Sequence, residues 1–142
     1  MNFINDIIKI ITEYGSSYLK GAGNTLLLAL IGTVIGCIIG FAVGVVQTIP
    51  VSKKDSIVKR AGLKIVNFIL AAYVEIFRAT PLMVQLFLVY YVLLAGVTLP
   101  SFKLFGIIRF ERFIPGVIAL SLNSAAYLSE IIRSGIQSIE LG

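Results

Sequence analysis

LLLALIGTVIGCIIGFAVGVV, residues 26–46, is an uncharged run of 21 residues, and its reading decides the fold. A helix needs about 20 predominantly apolar residues to cross the hydrocarbon core of a bilayer, so the run predicts a transmembrane helix. A cleaved signal peptide would offer an apolar region of only about 7–15 residues behind a basic start. Within the run, Gly32, Gly36, Gly40 and Gly44 recur at every fourth position. Residues four apart share one helix face, and small residues in that register let another backbone approach closely, a main source of helix association in lipid. The four glycines are therefore predicted to form a helix-packing face.

The remainder of the chain has the same solvent. It is 58% hydrophobic and 13% charged, with a mean hydropathy of +0.98, more apolar than one soluble core requires. Its 142 residues accommodate three crossings, not five. The net charge of +5 does not point to nucleic acid, because the basic residues concentrate in one short loop. Residues 47–64 carry Lys53, Lys54, Lys59, Arg60 and Lys64 against a single acid, Asp55. Such a loop is retained in the cytoplasm. The flanking segments carry fewer cations, Lys9 and Lys20 before it and Lys103, Arg109 and Arg112 within 96–116, so the N-terminus is expected outside. Cys37 is the only cysteine and there is no histidine, so no disulfide, metal or cofactor is expected.

The first twenty residues place Phe3, Ile4, Ile7, Ile8, Ile11, Tyr14 and Tyr18 at helical steps, with Asn5, Asp6, Lys9, Thr12, Glu13 and Lys20 between them. The pattern predicts an amphipathic helix lying in the membrane interface; a partner-facing helix of a bundle is the alternative. Residues 65–94 are mostly apolar but contain Glu75, Arg78 and Pro81. One unbroken helix of thirty residues would be about 45 Å long, against about 30 Å of hydrocarbon. Pro81 lacks an amide hydrogen and biases Thr80 away from helix, so a break is expected there, with one net crossing. A broken helix exposes backbone groups that can meet a polar solute, and Arg78, Pro81 and Gln85 lie along one face. The plainer reading is a Glu75–Arg78 pair near the interface.

After a loop at 96–116, a third helix is predicted over about 116–136. Asn123, Tyr127, Glu130 and Ser134 fall on one stripe of it, and ionisable groups at membrane depth mark a pathway or a buried pair. The alternative is that Glu130 pairs with Arg133 one turn away, both reaching for the interface. No catalytic constellation or phosphate loop is present, so any nucleotide chemistry belongs to another chain.

Three stretches together resemble the membrane subunits of ABC importers of the histidine/glutamine type, which take up polar amino acids. They are GAGNTLLLALIGTVIGCIIGFAVG at 21–44, YVEIFRATPLMVQLFLVYY at 73–91 and ALSLNSAAYLSEIIRSGIQSIELG at 119–142. The segments around Arg78 and Glu130 carry most of the specificity. The resemblance implies an all-α integral membrane bundle, with 1–20 as an N-terminal amphipathic segment and 21–142 as the first part of a five-helix permease domain, three of whose transmembrane helices are present. It implies a multi-pass protein of a prokaryotic cell membrane with its N-terminus outside. Expected partners are the lipid bilayer, a second permease subunit (identical or related), two cytoplasmic ATPases and an external amino acid-binding protein. Asn123, Tyr127, Glu130 and Gln85 are candidates for the solute route, and Glu75, Arg78, Thr80, Pro81 and Arg133 for structural or gating roles. The chain stops at Gly142, where the family continues into a Gln-x-Glu-Ala-Ala loop, so a truncated or fragmentary subunit is expected. The rival reading is a small membrane adaptor or assembly subunit that uses the glycine face and polar stripe only to bind partners.

Overall fold

A computed structural model describes residues 3–50, 56–104 and 108–139. Four helices, α1 (Phe3–Thr48), α2 (Ile57–Ala79), α3 (Leu82–Leu88) and α4 (Phe110–Gln137), account for most of them. A π-helical turn, Val89–Leu93, continues α3. Two short strands, β1 (Lys103–Leu104) and β2 (Ile108–Arg109), pair antiparallel just before α4, with Lys103 opposite Arg109. The basic residues Lys53 and Lys54, with Asp55, lie outside the described residues.

The fold is built on α1 and α4. The residues of α1 that are buried are Gly32, Gly36, Gly40 and Gly44, and they lie against α4. A Cβ at Gly36 would stand 2.7 Å from Ser124 Cβ and 3.0 Å from the Ser121 carbonyl; one at Gly40 would stand 2.8 Å from the Ala125 carbonyl, and one at Gly44 2.9 Å from the Ser129 carbonyl. The facing side of α4 is itself small, with Ser121, Ala125, Ala126 and Ser129 all buried. Hydrogen alone fits between the two backbones, which is why the position calls for glycine. At one end of this seam Ile108, Phe113 and Val117 form an apolar cluster with Leu27, Leu28 and Ile31.

Three sequence expectations are corrected here. Residues 3–20 and 26–46 form one helix of 46 residues, about 69 Å long, where two elements were expected. No proline interrupts the junction, a helical glycine costs only about 1 kcal/mol, and Thr25 Oγ1 donates across it to the Gly21 carbonyl at 3.0 Å. The final helix starts at Phe110, a full turn and more before Gly116. Phe110 N–H bonds to the Phe102 carbonyl at 3.1 Å and the two rings stack 4.6 Å apart, so the hairpin delivers the chain directly into the helix, and Pro115 falls inside it. Between the helices, 96–116 is accordingly not all loop: it holds a pair of two-residue strands within a fold that is otherwise helical, as expected.

The break at Pro81 is present. Thr80 and Pro81 are extended, at ψ 140° and 141°, and the axis turns by 116° between α2 and the α3 segment. The two arms together have the length and apolar composition of one membrane crossing, either as a broken span or as a re-entrant loop. With α1 and α4, which are each long and apolar enough to cross, the described residues hold two to three candidate spans.

Candidate functional site

The sequence places Arg78 in the last turn of α2, just ahead of the break, and Tyr127 and Glu130 one turn apart on α4. Packing of α2 on α4 brings these together. Tyr73 Oη donates to the Leu122 carbonyl at 2.6 Å, fixing the register of the two helices. One turn further along, the Arg78 guanidinium lies 5.7 Å from the centre of the Tyr127 ring, within cation–π range, and its Nη1 is 3.9 Å from Glu130 Oε2. The same Glu130 oxygen is 3.8 Å from Arg133 Nη1. Both pairs are loose and their side chains are more than a third exposed, so each contributes at most about 1 kcal/mol.

Around these groups is a cleft of about 500 Å³, open on one side and lined by Ala71, Val74, Glu75, Arg78, Ala79, Tyr127 and Glu130. Its charged lining is two carboxylates and one guanidinium, and Arg133, outside the lining, lies 3.8 Å from Glu130. The cleft can thus offer acceptors to an ammonium and a forked donor to a carboxylate at once. Glu75 contributes to the wall without an ion pair among the described residues; Arg78 turns to Glu130 on the neighbouring helix rather than to Glu75 on its own.

The other candidates lie elsewhere. Gln85 is buried at the break, with 4% of its surface exposed, and its amide bonds to the backbone there. Thr80 Oγ1 donates to the Ile76 carbonyl at 2.8 Å and caps α2. Asn123 is half-buried and outside the cleft. Sequence reasoning missed Tyr73, whose hydroxyl joins α2 to α4; the aromatic ring in an apolar run gave no sign of a partner 49 positions away.

Long apolar helices, a proline-broken arm and a charged cleft between helices define the class: a polytopic helical membrane protein with a polar site at its helix interface. No protein-family model matches the chain. It is 39% identical to the nopaline transport system permease protein NocM of Agrobacterium fabrum, over 95% of this chain and 51% of that protein. It is 36% identical to the arginine transport system permease protein ArtQ of Bacillus subtilis, over 87% of this chain and 47% of that one. A solved structure, the crystal structure of an amino acid ABC transporter with histidines, superposes with a TM-score of 0.68 at 29% identity, covering 99% of this chain and 53% of that chain. By sequence and by fold the chain is similar to the polar amino acid ABC transporter permeases, multi-pass proteins of bacterial membranes. It spans about half the length of the curated relatives it matches.

Proposed function

We propose that the chain supplies part of the permease of an ABC importer for polar amino acids, and that the cleft between α2 and α4 belongs to the solute route. The observation that carries this reading is the mixed charge of the cleft. An amino acid presents an ammonium and a carboxylate a few ångströms apart, and Glu75, Glu130 and Arg78 offer both complements within one opening. Ionisable groups on membrane helices are expensive unless they have such a task or a tight partner, and the ion pairs here are not tight. The relatives' transport of nopaline and arginine is consistent with a carboxylate-bearing, cationic solute.

In this reading ATP is hydrolysed by cytoplasmic ATPase partners, an external binding protein delivers the solute, and a second permease subunit completes the pore. Residues 47–64 face the cytoplasm and the N-terminus faces outward, as the distribution of lysine and arginine favours.

The test is uptake by proteoliposomes containing the assembled transporter, with thermal stability measured in parallel. Glu130→Gln is expected to leave stability within about 1 kcal/mol while shifting selectivity from cationic toward neutral amino acids. Unchanged uptake, together with a stability loss recovered by adding Arg133→Gln, would instead make Glu130 a structural partner of the arginine and remove the cleft from the route.

A further inference from the structure

Pro81 creates a bonding deficit that the backbone cannot settle. In an unbroken helix the Phe77 carbonyl would accept from the amide of residue 81, and proline has none. Gln85 fills that place from the other arm. Its Nε2 lies 2.7 Å from the Phe77 carbonyl, 3.0 Å from the Thr80 carbonyl and 3.0 Å from Thr80 Oγ1. The Thr80 hydroxyl proton is already directed to Ile76, so all three neighbours present acceptors and only the amide NH2 can face them. That settles the orientation of the side chain. Its two hydrogens reach α2 and the linker while its Cα belongs to α3, so one side chain crosses the break. Gln85 Oε1 is buried without a donor among the described residues; the group is held by what it donates.

We propose that Gln85 is a positioning residue: its amide braces the 116° bend between α2 and α3 and thereby fixes the last turn of α2, from which Arg78 reaches Tyr127 and Glu130. The residue does not line the cleft and acts through the backbone at 77–80 and the Thr80 hydroxyl. Its role concerns the geometry of this chain and does not depend on what passes through the cleft.

The bend is measurable. Spin labels at Ile65 and Val92, both at exposed positions on opposite arms, would stand roughly 21 Å apart across the bend and roughly 40 Å apart on a straight helix of the same length. The experiment is pulsed electron resonance on the protein in lipid nanodiscs, in a Cys37→Ser background. The unaltered bend should give a single narrow distribution at the short distance. Gln85→Met keeps the volume and removes the donors; it is expected to broaden the distribution and add a longer component. Adding Pro81→Ala restores an amide for the Phe77 carbonyl, so the double variant should regain thermal stability while shifting further toward the long distance. A residue that merely fills space would show no such separation of stability from shape. An unchanged distribution in Gln85→Met overturns the proposal, as does a double variant no more stable than Gln85→Met. Should Gln85→Met not be recoverable from membranes, Thr80→Val removes one acceptor of the brace, and a distribution identical to the parent would count against it equally.

Discussion

Tyr73 illustrates how a single polar atom sets a helix register in lipid. Its ring packs at 4.8 Å against Phe77, and its hydroxyl finds the Leu122 carbonyl on α4. Without water as a competitor, an unmet hydroxyl between helices is unfavourable, so the bond selects one sliding position out of several that apolar packing alone would allow. Tyr73→Phe is expected to lower stability by about 1 kcal/mol and to loosen the α2–α4 contact on which Arg78 depends. Thermal unfolding in detergent reads the first effect; equal midpoints for the two proteins would show the bond to be dispensable. At this scale the sequence was only partly legible. Arg78, Tyr127 and Glu130 could be singled out as polar residues in apolar helices, but their meeting could not. Spacing along α2 suggested Glu75 for Arg78 and spacing along α4 suggested Arg133 for Glu130, whereas the Arg78–Glu130 contact joins positions far apart in the chain.

At the scale of elements, the seam between α1 and α4 is the firmest part of the fold. The glycine period is visible in the sequence because residues four apart share a face; which helix lies opposite is not, since small residues on α4 are dispersed among polar ones. Gly36→Leu and Gly40→Leu should each destabilise the protein by at least 1–3 kcal/mol, roughly the cost of overpacking a core, because the nearest obstacles include the backbone carbonyls of Ser121 and Ala125. Ala29→Leu, at an exposed position on the same helix, should be neutral. Yield and monodispersity in detergent compare the three, and equal behaviour would mean that the seam tolerates separation. The break at Pro81 was legible for a different reason: proline's missing amide is a covalent fact, independent of context. The size of the turn was not, because it depends on Thr80 and Pro81 both remaining extended. The unbroken course of α1 escaped for the opposite reason, since a change from amphipathic to wholly apolar composition alters a helix's surroundings without altering its backbone.

For the whole molecule the governing fact is orientation. The loop before α2 holds the densest positive charge, so a cysteine placed at Ser56 in a Cys37→Ser background is expected to react with a membrane-impermeant reagent only from the cytoplasmic side. Labelling from outside alone would invert every element and put the cleft end of α4 on the opposite surface. The class of the molecule was readable early, because hydropathy reports the solvent in which a chain must live, and three separated motifs in fixed order reported the family.

The glycine seam also decides where the molecule can move. At Gly36, Gly40 and Gly44 the α1 backbone lies against carbonyls of α4, while Gly32 meets the Leu120 side chain, so rotation of one helix against the other would drive carbonyls into Cα positions. Interfaces of this kind have one arrangement. α1 and α4 are therefore expected to move as one block, whatever else in the molecule shifts.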